Sequence, residues 1–234
     1  MPQLLVQPDA DALHAEAARR IADAAARAQA ARGVFQWVLS GGSTPHATYV
    51  RLRDAPVDWQ RVHVFWGDER AVPATSPDSN QRAAREALLD HVPIPPENVH
   101  PIDADASDPE RAARSYEAVL RRHLGTPACA DLVLLGLGAD AHTASLFPDS
   151  PVLDASDRLV CPAAAPTLAP RLTWTVPALR AAREILVLVL GAEKRVALQI
   201  ALAHRDDPGG APIQRVLFGH PHATILADRR AAHA

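Results

Sequence analysis

The sequence predicts an α/β fold built on a mostly parallel sheet, and three observations predict it. Apolar runs of strand length alternate with helical stretches of ten to twenty residues, the pattern of repeated strand-helix-strand crossovers. Two of the runs, "DLVLL" and "EILVLVL", are continuously apolar, as strands covered on both faces are. The length of 234 residues fits one such domain with a full core.

The elements follow in order. "QLLVQ" at 3–7 is a short strand. "DADALHAEAARRIADAAARAQAARG" is a helix, with Asp9 near its start, an Ala-rich interior and Gly33 beyond its end. "VFQWVLS" is a strand, Pro45 opens a helix through Leu52, and "RVHVFWGDER" is a further strand. Ser79 caps the helix "NQRAAREALLDHV". The Pro-rich "VPIPPENVHPI" leads to a short extended piece. "SDPERAARSYEAVLRRHLG" is a helix with Pro109 in its first turn and Gly125 at its end. "DLVLLGLG" is a buried strand, and the proline-rich 151–170 is mostly loop and edge strand. "EILVLVLG" is a strand feeding the helix "AEKRVALQIALAHR"; "DDPGGAP" is a mobile loop and "ATILAD" a last strand. Residues 1–234 read as a single domain without internal repeats.

Composition narrows the partners. A formal net charge of −3, without a long run of like charges, gives no footprint for nucleic acid, so a small molecule is the expected partner. Cys129 and Cys161 form no CxxC pair and read as reduced core residues of a cytoplasmic protein. The opening residues lack the basic start and apolar run of a secretory signal, and no apolar window is long enough to span a membrane. Lys194 is the only lysine among 24 cationic residues. In a chain that otherwise uses Arg, composition leaves two readings of it: a place where a compact ammonium is required, or a chance survival on a surface helix.

In a parallel sheet the chemistry gathers at the carboxyl ends of the strands. After "VFQWVLS" come Gly41, Gly42, Ser43 and Thr44, which offer backbone amides, hydroxyls and a helix N-terminus to an anion, most plausibly a phosphate. The stretch is neither a Walker loop nor a GxSxG elbow. After "RVHVFW" come Asp68, Glu69 and Arg70, and Arg70 can hold a phosphate or carboxylate through two hydrogen bonds. After "EILVLVL" comes Lys194 in the first turn of a helix, where a cation opposes the helix dipole unless an anion sits above it.

After "DLVLL", the stretch "GLGADAHTASLFP" places Asp140 two residues before His142. Although "GLGADA" matches GxGxxA, Pro148 and Pro151 leave no room for the long helix of a dinucleotide site. His142 can take a proton from water near neutral pH, and Asp140 can fix its tautomer. "HPH" at His220 and His222 lacks a third metal ligand nearby, and Ser145 lacks the frame of a nucleophile. The residues thus describe a metal-free site for a phosphorylated small molecule, with one histidine base among cationic anchors. Hydrolysis, isomerisation and enolisation all fit it.

"LSGGSTP", "WGDERAVPATSPDSN", "LLGLGADAHTASLFP", "RLTWT" and "LGAEK" together resemble the 6-phosphogluconolactonase family in order and spacing, over almost the whole chain. The resemblance implies a Rossmann-like fold with helices on both faces, shared with glucosamine-6-phosphate deaminases and ribose-5-phosphate isomerases. It implies cofactor-free hydrolysis of 6-phospho-D-glucono-1,5-lactone to 6-phosphogluconate, in the oxidative pentose phosphate pathway. Apart from the resemblance, the expected state is a monomer, with a higher assembly left open. His142 would be the general base, with Asp140 beside it. Arg70, Lys194 and Arg171 would hold the phosphate or the developing oxyanion. Gly41, Gly42, Ser43, Thr44, Asp68 and Asn80 would complete the substrate cleft.

The chain departs from the family at one point: Ala141 stands where Asp-Gly-His is usual, and a positive φ there costs about a kcal/mol. Two rival readings differ. A glucosamine-6-phosphate deaminase typically continues its His loop toward Asn-Glu-Pro, unlike "HTASLFP". A sugar-phosphate-sensing module would need a DNA-binding helix-turn-helix, for which residues 1–33 leave no room.

Overall fold

The computed structural model describes residues 1–104, 107–164, 169–203 and 210–232. Strand β1 (Gln3–Gln7) leads into helix α1 (Ala10–Arg32). The Asp9 side chain accepts from Ala12 N at 2.9 Å, and Gly33 ends the helix. Leu13, Ala17, Ile21, Ala25 and Ala28 recur at helical spacing and are buried, so small residues let this long helix lie close to its neighbours. Strand β2 (Phe35–Leu39), helix α2 (Ser43–Leu52) and strand β3 (Val62–Trp66) follow. Next come β4 (Asp68–Arg70), α3 (Asn80–Ala87), β5 (Val99–His100), α4 (Pro109–Leu124) and β6 (Leu132–Gly136). The remainder comprises β7 (Val160–Ala163), β8 (Arg171–Trp174), α5 (Val176–Arg180), β9 (Glu184–Val189), α6 (Arg195–Leu202), α7 (Pro212–Leu217), β10 (Ala223–Asp228) and α8 (Arg229–Ala232).

Seven strands pair in the order β1-β10-β9-β6-β2-β3-β5, every pairing parallel. Its buried strands carry Phe35, Trp37, Phe65 and Trp66, all shielded from solvent. From β2 the chain proceeds to β3 and β5 on one side; from β6 it proceeds to β9 and β10 on the other. Strands β2 and β6 are therefore the neighbours at which the winding reverses, and the crevice above their carboxyl ends is the expected ligand position.

A second, antiparallel sheet in the order β4-β8-β7 was not expected. "RVHVFWGDER" is not one strand. Gly67 separates β3 from β4, and β4 pairs with β8, Arg70 lying opposite Arg171. Other boundaries shift as well. Helix α2 starts at Ser43, two residues before Pro45, and α3 ends at Ala87 before a short 3-10 turn. Lys194 closes a 3-10 turn, Ala192–Lys194, and precedes α6. Of the expected loop "DDPGGAP", residues 206–209 lie outside the described residues, as does the expected helix end at 204–205; Pro212 opens α7 instead. Cys161 is buried and Cys129 only partly so, and both are free. No helix among the described residues is long and apolar enough to cross a membrane.

Candidate active site

Four strand ends, those of β9, β6, β2 and β3, meet around a cleft of ≈ 400 Å³ at the winding reversal. Of the residues singled out in the sequence, Gly41, Gly42, Ser43 and Thr44 line it at the end of β2. Asp68 and Arg70 reach it from β4, Asn80 from the start of α3, Arg171 from β8, Lys194 from beyond β9 and His142 from beyond β6. Asp140 does not line the cleft; it stands behind His142.

The Asp140–His142 pair is built by a tight turn. Gly138 N donates to His142 O at 2.8 Å, and Ala141 N to Gly138 O at 3.1 Å, folding the chain back on itself. Asp140 Oδ1 then lies 2.5 Å from Nδ1 of His142 and 3.2 Å from its backbone N. A Cβ on residue 138 would land on the imidazole and the carboxylate together, so the second glycine of "GLG" makes room for the pair. Ala141 adopts φ 65, the left-handed conformation, and its methyl is fully buried. Burial works to raise the Asp140 carboxyl, but the hydrogen bonds and charge of His142 outweigh it and hold the group below its usual range. With Nδ1 engaged, Nε2 is the nitrogen left to take a proton, and it has no partner among the described residues.

The loop carrying His142 is stitched to the small sheet through Ser145 and to β6 of the main sheet through Thr143. Ser145 Oγ donates to Asp68 Oδ2 at 2.6 Å, Ser145 N to Thr173 Oγ1 at 3.2 Å, and Thr143 Oγ1 to Gly136 O at 2.9 Å. Phe147 joins base and cation: its ring centroid is 4.7 Å from that of His142, and the Arg171 guanidinium lies over it at 5.6 Å. Ser145 is thus a fully buried tether.

The cations face the cleft from two sides. Arg70 and Arg171 are directly opposite on β4 and β8, an arrangement that costs free energy unless anionic groups offset it; the Asp68 carboxylate, 3.8 Å from Arg171 Nη1, offsets part of it. Burial holds the Arg171 guanidinium below its ordinary value, Asp68 opposing the effect and Arg70 adding to it. Arg70 Nη1 donates to Asp78 O at 2.6 Å, while Lys194 forms no ion pair among the described residues. Arg171 Nε and Asn80 Oδ1 are buried and have no hydrogen-bond partner. These groups keep binding capacity for an anionic, hydroxyl-rich ligand.

Glu69, between Asp68 and Arg70, has a different task. Its carboxylate accepts from the backbone N of Arg70 (2.8 Å), Asn80 (2.8 Å) and Gln81 (2.7 Å), and from Ser79 Oγ (3.2 Å). It thereby clamps the N-terminus of α3 to β4 and fixes Asn80, which donates to Asp68 O at 3.0 Å. Gly41 permits that fit, since a Cβ there would collide with the Asn80 carboxamide.

Sequence reasoning did not identify Ser40, Thr143, Leu188, Leu190 and Glu193, which also line the cleft. Ser40, Thr143, Leu190 and Glu193 stood within the quoted motifs "LSGGSTP", "LLGLGADAHTASLFP" and "LGAEK" without being singled out; Leu188 carries no signal beyond its place near a strand end. "GLGADA" is followed by turns and not by a helix, which rules out the dinucleotide arrangement. In "HPH", His220 Nε2 is 2.9 Å from Ala182 O and His222 N donates to His220 Nδ1, so this pair serves the loop.

The family of glucosamine-6-phosphate isomerases/6-phosphogluconolactonase matches residues 8–226. The 6-phosphogluconolactonase of Synechocystis is 44% identical over 86% of this chain and 83% of its own length. That of Nostoc is 41% identical over 94% and 92%. The solved structure of 6-phosphogluconolactonase from Trypanosoma brucei superposes with a TM-score of 0.87 at 31% identity, covering 99% of this chain and 97% of that one.

Proposed function

The chain belongs to the family of glucosamine-6-phosphate isomerases and 6-phosphogluconolactonases, and we propose the following account of its chemistry on that premise. It is a lactone hydrolase. It opens 6-phospho-D-glucono-1,5-lactone to 6-phospho-D-gluconate in the oxidative pentose phosphate pathway. The deaminase reading is not favoured, because relatives at 44% and 41% identity over most of the chain are lactonases.

The observation that carries the mechanism is the 2.5 Å contact between Asp140 and His142 at the rim of a cleft lined by Arg70, Arg171 and Lys194. His142 Nε2 removes a proton from water as the water oxygen bonds to the lactone carbonyl carbon, and Asp140 stabilises the imidazolium. The oxyanion collapses, the ring C–O bond breaks, and the departing oxygen takes the proton back from His142. Arg70, Arg171 and Lys194 hold the phosphate and the developing oxyanion, with the amides at the start of α2 adding to the field. Gly41, Gly42, Ser43, Thr44, Asp68 and Asn80 shape the cleft. A lactone is an activated ester, so the step needs neither a covalent intermediate nor a cofactor. Both sheets contribute to the one cleft, which supports reading residues 1–234 as a single lactonase domain.

The test is turnover of freshly generated lactone, followed through a coupled 6-phosphogluconate dehydrogenase against the spontaneous rate, with glucosamine 6-phosphate as a second substrate. Acceleration with the lactone alone is the expected result. Ammonia release from the amino sugar, without lactone turnover, would refute the proposal.

A further inference from the structure

Strand β3, edge strand β5 and the last turn of α4 bring three imidazoles together outside the cleft. His63 and Phe65 lie two apart on β3 and so share one face of the sheet, and the parallel pairing of Phe65 with His100 sets His100 on that face too. His123 joins them from α4, its ring centroid 4.2 Å from that of His100. Nδ1 of His63 is 3.1 Å from Nε2 of His100, and one nitrogen from each of the three rings lies within 4.8 Å of the other two. None of the three lines the cleft, and the lactonase mechanism uses none of them.

We propose that His63, His100 and His123 form a binding site for a divalent late first-row cation, Zn²⁺ foremost, which ties the edge strand β5 to the C-terminal end of α4. Three imidazoles are the donor set that zinc and its neighbours favour, and water would complete the coordination. With Zn–N near 2.0–2.1 Å, tetrahedral ligand nitrogens stand roughly 3.3 Å apart. The His63–His100 spacing is close to that, and a small movement of His123 completes the triad. The ion would also sit at the negative end of the α4 dipole, where cations are favoured. A site so placed supports the fold and does not perform the chemistry.

The experiment uses the full chain stripped with a chelator and desalted. Zn²⁺ binding is followed by calorimetry and thermal unfolding, and Co²⁺ binding by visible absorption. The variants are His63→Gln and His123→Gln, with His142→Ala as the control for metal capture in the cleft, and circular dichroism checks that each is folded. The expected result is one ion per chain, a rise in Tm, and a loss of roughly ten-fold or more in affinity in each Gln variant. His142→Ala should retain the site, and the stripped wild type its lactonase rate. In the wild type, imidazole nitrogen signals of His63, His100 and His123 should shift on adding Zn²⁺, which keeps the test open if a variant fails to fold. Undiminished binding in both folded Gln variants, binding lost in His142→Ala, or the absence of stoichiometric binding would overturn the proposal; the last would make the cluster a packed histidine stack only.

Discussion

At the scale of single residues, the site depends on a turn that brings an acid and a base two positions apart into contact. His142→Ala should lower kcat by ~10²- to 10⁴-fold with little change in KM, because it removes a proton acceptor and leaves the cations in place. Gly138→Ala should cost ~10²-fold in kcat by displacing the same pair, with thermal stability largely kept. The Asp140 carboxyl is held below its ordinary 3.8, so its contribution to stability is complete above that value and is lost as pH falls through the lower native value. An NMR titration should therefore find its midpoint below 3.8, rising toward the ordinary value in His142→Ala. Ala141 sets opposing effects against each other. Its positive φ costs ~1–2 kcal/mol. Glycine would relieve this strain but lose about 0.8 kcal/mol of methyl burial and a further ~0.4–1 kcal/mol through the freer unfolded chain. Ala141→Gly should thus change stability by less than about 1 kcal/mol in chemical denaturation, although it restores the usual family residue.

At the scale of elements, the small sheet arms the cleft. Arg70→Ala or Arg171→Ala should raise KM about ten- to a hundred-fold, the worth of a charge-assisted hydrogen bond or two, and Lys at either position should restore only part of it. The main sheet's strands and the long helices were legible because each satisfies a local rule: Asp9 and Ser79 cap α1 and α3, and Pro109 and Gly125 bound α4. The second sheet was not legible. Strand β4 has three residues and continues an apolar run, so only its tertiary pairing with β8 shows that the chain has left the first sheet at Gly67. Helix α2 begins before Pro45 because the turn at Gly42, φ 103, already delivers Ser43 in helical register. Glu69 likewise carried no local signal, since its four donors come from Arg70 and from a helix start ten residues away.

At the scale of the whole molecule, four strand ends distant in sequence become one cleft because the winding reverses between β2 and β6. The site was legible to the extent that strand ends are: Gly41, Gly42, Arg70, Lys194 and His142 each lie beyond an apolar run, whereas Arg171 and Asn80, at the starts of β8 and α3, were named only through the family resemblance. Phe147, which touches both His142 and Arg171, was not, because a buried aromatic in a loop looks the same whether or not it holds a site together. The most direct measurement compares wild type with His142→Ala in two readouts, lactone turnover above the spontaneous rate and calorimetric binding of 6-phosphogluconate. The account predicts that turnover collapses while binding persists within a few-fold. Undiminished turnover in the variant would contradict it.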